Sequence, residues 1–319
     1  MKILAGDLGG TKALLGIAEF DGDTPRFILT RRLASADFSG ADALLRQFCT
    51  DAADELEGVT GACLAIAGPV SDDGRQARFT NLPWQADAAL LEQQLGMPLT
   101  LANDFVAVAA GIATLSADQH LALQTGEPLA DGVRLVIGAG TGLGMATLVP
   151  LDDPAGSFKI LPGEGGHIGF APADAMQARV WTELLAAHGR VTAEQVISGP
   201  GIAAIHHALT GATADPAEIT DLALGGNVSA RQTVEVFLAA YGAFAGDLAL
   251  ALLARGGVFL AGGIAAKIMP LLRNGTFLAA FNAKAGHADL ARRMPVHVVT
   301  DPEIGLQGAA ALARRLLGH

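Results

Sequence analysis

The chain opens with strand-like alternation. Apolar runs at Lys2–Gly6, Ala13–Phe20 and Phe27–Leu33 predict three strands. Only Asp7-Leu8-Gly9-Gly10-Thr11 separates the first two, so they are antiparallel neighbours. A helical period then covers about Gly40–Glu55, and an apolar strand, Ala62–Ala67, stops at Gly68-Pro69. A second helical pattern runs from about Gln85 to Leu95. A short strand, Leu99–Ala102, ends at Asn103-Asp104, ahead of a further helix. The predicted order is β-β-β-α-β-α-β.

The opening pattern returns about 130 residues later. Val133–Gly138 and Leu143–Val149 read as strands joined by Ala139-Gly140-Thr141-Gly142. Two halves that each begin with a hairpin bearing a Gly/Thr tip point to a duplicated fold. The remainder is mainly helical, with patterns over about Ala173–Ala187, Gly201–Leu209, Pro216–Leu224 and Ala230–Ala254. Strands reappear at Val258–Leu260 and Val296–Val299, and a last helix covers Gly305–Leu317. Asp152–Gly156 is expected to be an exposed loop. A small α/β domain over 1–113 plus 302–319 and a large one over 114–301 are the expected division. A chain of 319 residues exceeds what one core usually organises.

Composition narrows the function classes. Hydrophobic residues make up 51% and charged residues 17%, enough apolar material for a large core and too little charge for a disordered chain. The net charge of −11 comes with no basic stripe, which argues against a nucleic-acid partner. The first residues reach Asp7 before an apolar stretch of signal length can form. Phe237–Ala254 has the hydropathy of a membrane span but carries Asp247 near its middle, so it reads as a buried helix and the protein as cytoplasmic. Cys49 and Cys63 lack a CxxC neighbour and read as small buried apolar residues, not zinc ligands.

Several short segments carry candidate chemistry. In Gly6-Asp7-Leu8-Gly9-Gly10-Thr11 the glycines let backbone N–H groups approach a phosphate, Thr11 offers a hydroxyl, and Asp7 could hold a hydrated Mg²⁺. An ordinary hairpin turn has the same composition. Gly138-Ala139-Gly140-Thr141-Gly142-Leu143-Gly144 holds four glycines in seven residues, more than a hairpin needs. Close packing of two backbones is its alternative. A Walker loop is excluded, because no lysine follows a glycine. Gly199-Pro200-Gly201-Ile202-Ala203-Ala204 matches a dinucleotide fingerprint but lacks the βαβ context, and a helix start accounts for it. Asp104, at a strand's C-terminal end, could take a proton from an attacking hydroxyl; Asn103 and Asp104 are also good helix caps.

Glu164 and His167 sit in a flexible glycine frame, Leu161-Pro162-Gly163-Glu164-Gly165-Gly166-His167, and could read vicinal hydroxyls; the alternative is a solvent-exposed turn. Glu194 is expected at a helix N-terminus. Gly262 and Gly263, after a strand, either admit a flat base and ribose or make a tight β–α turn.

Taken together, Asp7-x-Gly-Gly-Thr11, the Gly138–Gly144 turn and Ala261-Gly-Gly263 resemble the two phosphate motifs and the adenosine motif of the hexokinase, Hsp70 and actin superfamily. Asn103-Asp104-Phe105, Leu161–His167, Ser198-Gly199-Pro200-Gly201 and Gly305-Leu306-x-Gly308-Ala309 resemble the bacterial glucokinase family, in family order along nearly the whole chain. The resemblance implies a two-lobed actin-like ATPase fold, ribonuclease-H-like in each lobe, with a central cleft. It implies transfer of the ATP γ-phosphate to the 6-hydroxyl of D-glucose with Mg²⁺, in a cytoplasmic, membrane-free homodimer. It assigns Asp104 as general base and Asn103, Glu164, His167 and Glu194 as sugar ligands. ATP falls to Gly6, Asp7, Leu8, Gly9, Gly10, Thr11, Gly138, Gly140, Thr141, Gly142, Gly262 and Gly263. The cysteine-rich zinc motif of the related repressor/open-reading-frame/kinase family is absent. Lys12 stands where the glucokinase family usually has Asn. Kinases for mannose, fructose or an amino sugar, and a non-catalytic sugar-sensing regulator, are the competing readings. The regulator reading expects either a DNA-binding extension, for which the few residues ahead of Asp7 leave no room, or loss of Asp104, which is present.

Overall fold

In the computed structural model, which describes residues 1–22, 24–153 and 157–318, the N-terminal strands are β1 (Lys2–Leu8), β2 (Lys12–Asp21) and β3 (Thr24–Ala34). Then follow α1 (Ala41–Asp51), β4 (Val59–Ile66), β5 (Gln76–Arg78), β6 (Gln85–Asp87), α2 (Ala88–Leu95), β7 (Leu99–Asn103) and α3 (Asp104–Ile112). The helix expected from Gln85 thus starts three residues later. Its first residues pair with β5, and the Asp87 carboxylate caps α2 by accepting from the Ala89 and Leu90 amides.

The middle of the chain supplies β8 (His120–Gln124), β9 (Arg134–Ala139), β10 (Leu143–Pro150) and β11 (Phe158–Gly163), then α4 (Ala175–His188), α5 (Gly199–Thr210), α6 (Pro216–Leu224) and α7 (Val228–Leu252). β12 (Gly257–Ala261), four short helices α8 (Gly263–Lys267), α9 (Met269–Leu272), α10 (Thr276–Asn282) and α11 (Ala288–Arg292), and β13 (Val296–Val299) follow. α12 (Ile304–Leu316) comes last. Of the loop expected at Asp152–Gly156, residues 154–156 lie outside the described residues.

The chain divides into unit 1, Met1–Leu115 with Glu303–His319, and unit 2, Ser116–Pro302. The sheet of unit 1 runs β3-β2-β1-β4-β7: an antiparallel meander, then β4 and β7 parallel to β1. The sheet of unit 2 runs β11-β10-β9-β12-β13, with β8 added at the edge. It repeats the same plan, since β9-β10-β11 is antiparallel while β12 and β13 run parallel to β9. The duplication expected from two glycine-tipped hairpins is therefore present in strand order. This is the actin-like α/β plan.

Alternation along β1 sends Leu4 and Leu8 to one face, against Leu44, Leu45 and Phe48 of α1, and Ile3 and Ala5 to the other. That second face is closed by Ala107 of α3 and by Leu306, Ala309 and Ala310 of α12. α3 and α12 meet backbone to backbone, since a Cβ on Gly308 would overlap the Ala107 carbonyl oxygen. In unit 2 the core lies on the helical side of the sheet. α7 is long and apolar enough to cross a membrane, but Phe237, Leu238 and Tyr241 are at most 1% exposed within this core, as expected of a core helix. Both cysteines are free; Cys63 is buried, whereas Cys49 is half-buried and departs from the expectation of full burial.

Candidate active site

In unit 1 the parallel strands β1, β4 and β7 bring three C-terminal ends to one edge of the sheet. Ligands of open α/β sheets bind at such edges. β1 ends in the Gly9-Gly10-Thr11 turn, β4 in Ala67-Gly68, and β7 in Asn103-Asp104. The ends are bonded to one another: the Ala67 amide donates to the Leu8 carbonyl (3.2 Å), and Asn103 Nδ2 donates to the Gly68 carbonyl (3.2 Å). In the turn, Gly9 N–H closes the hairpin on Lys12 O (3.0 Å), while the Gly10 and Thr11 amides make no backbone bond among the described residues. Those two amides are therefore the donors this turn can give to an anion.

The structure corrects part of the expected phosphate contact. Gly6 and Leu8 do not reach the rim. A Cβ on Gly6 would lie 2.7 Å from Leu64 and Leu8 side-chain atoms, and Leu8 is fully buried. Both belong to the leucine core that carries the turn.

Asp7 projects to the opposite face, against the first turn of α12, where a Cβ on Gly305 would sit 2.7 Å from its carboxylate. Burial pushes its carboxyl above the usual carboxylate range, and the Lys12 ammonium pulls it back. Lys12 and Asp7 share a sheet face because Asp7 pairs with Leu14, two residues beyond Lys12. A lone carboxylate beside such a glycine turn is a donor set that fits a magnesium held mainly by water. Among the described residues no group of three or more His, Cys, Asp or Glu side chains is placed to hold a metal ion together.

Asn103 caps α3. Its Oδ1 accepts from the Phe105 and Val106 amides at 2.9 and 3.4 Å. With Nδ2 already on Gly68 O, one N–H remains for a ligand. Asp104 stands in the first turn of α3, and its Oδ1 accepts from the Phe105 amide at 3.0 Å. Capping thus falls to Asn103, whose side chain accepts from two amides of the first turn.

Unit 2 assembles the other candidates around its glycine turn. Gly138 and Gly144 pair across β9 and β10, and Gly140 N–H bonds Gly142 O at 2.8 Å. A Cβ on Gly140 would meet nothing within 4 Å, so one side of the turn is open. The other side is occupied by Glu194, whose Oε2 accepts from the Leu143 amide at 2.8 Å and lies 2.5 Å from where a Gly142 Cβ would stand. The Glu194 amide in turn donates to Gly166 O at 2.9 Å, which ties in the segment bearing Glu164 and His167. Their side chains are 84% and 63% exposed, with the ring and carboxylate 3.8 Å apart. Glu164, His167, Glu194 and Gly142 are thus one cluster.

Three expectations change here. Leu161-Pro162-Gly163 is strand, paired with Thr147, Ala146 and Met145 of β10. The glycine frame is closely packed, because a Cβ on Gly165 or Gly166 would overlap Met145 or the Leu143 carbonyl. Glu194 lies in a turn, not a helix; α5 begins at Gly199, capped by Ser198, whose Oγ accepts from the Gly201 amide at 3.1 Å. That start ends the dinucleotide reading of Gly199–Ala204. The Gly199 amide donates to Gly140 O at 2.8 Å and so buttresses the turn. Gly262 has φ +84°, and a Cβ there would lie 2.7 Å from Ala139 O; Gly263 faces open space. The pair is both a tight turn and an unobstructed surface beside the Gly138–Gly144 turn.

Sequence reasoning passed over Asn81, whose Cβ stands 2.9 Å from where a Gly10 Cβ would be. Asn-Leu-Pro reads as a plain turn, and only the contact with Gly10 singles it out.

Comparison with known proteins agrees with these elements. The glucokinase family model matches residues 4–316. The glucokinase of Trichormus variabilis is 37% identical, with 98% of this chain and 99% of that protein aligned. The crystal structure of a glucokinase from an Antarctic psychrotroph superposes with a TM-score of 0.85 at 33% identity, covering 98% of this chain and 99% of the other. A ROK-family glucokinase from Streptomyces griseus, solved with glucose and AMPPNP, shares the fold at a TM-score of 0.67 and 21% identity, covering 99% and 100% of the two chains. Matched by that family model over nearly its full length and more than a third identical to a named relative, this chain belongs to the glucokinase family.

Proposed function

We propose a residue-level assignment for the reaction of this family, transfer of the γ-phosphate of ATP to the 6-hydroxyl of D-glucose, giving glucose 6-phosphate and ADP. Asp104 is the base that receives the hydroxyl proton as the oxygen attacks phosphorus in line. Asn103, with its one remaining N–H, and the cluster of Glu164, His167 and Glu194 orient the sugar through its other hydroxyls. The amides of Gly10 and Thr11, the Thr11 hydroxyl and the open side of the turn formed by Gly138, Gly140, Thr141 and Gly142 receive phosphate oxygens, with Gly262 and Gly263 beside the nucleoside. Asp7 holds Mg²⁺ through water; when bound, the ion offsets charge on the phosphates. Phosphoryl transfer by positioning and charge compensation asks for little beyond such groups.

The observation that carries this assignment is the placing of Asp104 at the end of β7, with only β4 between it and the β1 strand that ends in the phosphate turn. We read the enzyme as cytoplasmic, homodimeric and glycolytic. An ADP-release assay over a hexose panel with ATP and Mg²⁺ tests the activity, and glucose is expected to give the highest kcat/KM. Asp104→Asn keeps size and hydrogen bonding but removes the base, and kcat is expected to fall about 10²–10⁴-fold with glucose affinity nearly unchanged. Turnover close to wild type in that variant would remove Asp104 from the mechanism.

A further inference from the structure

The loop that follows β5 holds a polar side chain against the first phosphate turn. Phe79 and Trp84 anchor its two ends, 6% and 5% exposed, with their rings edge to face at 5.3 Å. The Phe79 amide donates to Trp84 O (3.1 Å), which closes the loop on itself. The Thr80 amide donates to Ala67 O (3.0 Å), and the Ala67 amide donates to Leu8 O (3.2 Å). The loop therefore lies third in a row with the ends of β4 and β1. Its position is fixed by buried rings and backbone bonds, not by Asn81.

Asn81 rises from this frame over Gly10. Its Cβ would stand 2.9 Å, and its Cγ and Nδ2 3.8 Å, from a Cβ placed on Gly10. The missing side chain at Gly10 is what lets Asn81 lie there. Asn81 is exposed, and its carboxamide has no hydrogen-bond partner among the described residues. Asn103, by contrast, spends its carboxamide on the Phe105 and Val106 amides and on Gly68 O. The Ala67-Gly68 segment is bonded to the Asn81 loop through one carbonyl and to Asn103 through the next. A held but unspent N–H donor thus stands on the same sheet edge as the phosphate turn and the Asp104 base.

We propose that Asn81 is a further catalytic residue, donating a hydrogen bond from Nδ2 to an oxygen of the phosphoryl group in transfer, next to the Gly10 amide. The inference rests on the assignment of the Gly9-Gly10-Thr11 turn to phosphate. The transferred group's equatorial oxygens carry charge, so an N–H donor presented beside them from a fixed loop stabilises them as the bond to the leaving oxygen breaks. The chemistry also separates this role from that of a sugar ligand. A phosphoryl oxygen only accepts, so Asn81→Asp sets like charges against each other. A sugar hydroxyl can donate, so it tolerates the carboxylate.

The test uses Asn81→Ala and Asn81→Asp in the full chain, with Asp104→Asn as a reference. Asn81→Ala is expected to lower kcat by about 10²-fold, the scale for loss of one transition-state donor, and Asn81→Asp to lower it further. KM for glucose should stay within about twofold, because only the transferring group loses a contact. Calorimetric titration should show AMPPNP binding weakened in both variants and ADP binding unchanged, a contrast that loss of fold cannot produce. Asn81→Asp with wild-type kcat, or a raised glucose KM at unchanged kcat, would overturn the proposal. If Asp104→Asn is inactive while both Asn81 variants turn over normally, the family mechanism stands and Asn81 leaves it. If Asp104→Asn is active, the assigned base is wrong, and the AMPPNP-to-ADP contrast still decides the role of Asn81.

Discussion

Substituting separately two glycines of the Gly138–Gly144 turn, assigned above to ATP phosphates, should divide ATP binding from sugar binding. At Gly140 an added methyl meets nothing within 4 Å, so Gly140→Ala leaves the fold in place and fills only the space where a phosphate would approach. At Gly142 the same methyl lands 2.5 Å from Glu194 Oε2, below the 3.0 Å that Cβ contacts essentially never breach. The carboxylate must retreat by at least 0.5 Å, away from the Leu143 amide it now holds at 2.8 Å. Hydrogen bonds to charged groups contribute about 1.5–3 kcal/mol, and a displaced carboxylate weakens both that bond and the one assigned to a sugar hydroxyl. That range corresponds to a rise in glucose KM of roughly tenfold to a hundredfold for Gly142→Ala. Gly140→Ala should raise the KM for ATP and leave glucose untouched. The assay is steady-state ADP release with each substrate varied in turn, with calorimetric glucose binding measured without nucleotide. A Gly142→Ala enzyme with wild-type glucose binding and weakened ATP would refute the argument, since both glycines would then serve phosphate alone.

Other substitutions probe the sugar cluster and the frame. His167→Ala should raise glucose KM by about tenfold or more while ATP binding without sugar stays constant, measured by the same titrations. Gly308→Ala puts a methyl onto the Ala107 carbonyl and should lower stability by about 1–3 kcal/mol in urea unfolding, as overpacking does. His297 stacks on Phe259 at 5.0 Å, and its buried Nδ1 has no hydrogen-bond partner among the described residues. Desolvation, helped by His120 and Arg134, lowers its pKa to about 4. Unfolding frees it to take a proton at about pH 6.5, so its contribution is complete above that pH and is lost as pH falls toward 4. His297→Phe should keep the stacking and flatten the fall in urea midpoint between pH 7 and pH 5; an unchanged pH dependence would exclude His297 as its source.

The opening strands of each unit and both glycine-tipped hairpins could be read in the chain because alternation and turn composition are local signals, whereas the short strands β5, β6 and β8 carry too few residues to show a period. The errors fall where tertiary context decides. Leu161-Pro162-Gly163 looked like loop, yet β11 is an edge strand, where proline forfeits no ladder bond that matters. Gln85–Asp87 joined a helical period only because Ala86 and Ala88 suit either element, and pairing with β5 settles it. Glu194 was expected to be helical, although Ser198-Gly199-Pro200 marks the true start of α5 a few residues on. The capping role of Asn103 was open in sequence, since Asn and Asp both cap; the bonds to Phe105 and Val106 assign it. Asn81 had no local signal, because its significance is a contact across 71 positions of sequence.

The interrupted course of unit 1 has a consequence for biosynthesis. While residues 116–302 are being translated, β1, β4 and α3 have already emerged, but the helix that closes over Ile3, Ala5 and Ala107 has not. That apolar face stays open to solvent, or is shielded by a chaperone, until α12 has been made and can fold back onto it. The wall behind Asp7 is equally late, because Gly305 belongs to the same helix. A chain halted within unit 2 therefore lacks the helix that completes unit 1. The face of β1 that carries Ile3, Ala5 and Asp7 is thus completed only when α12 is available, not progressively along the chain.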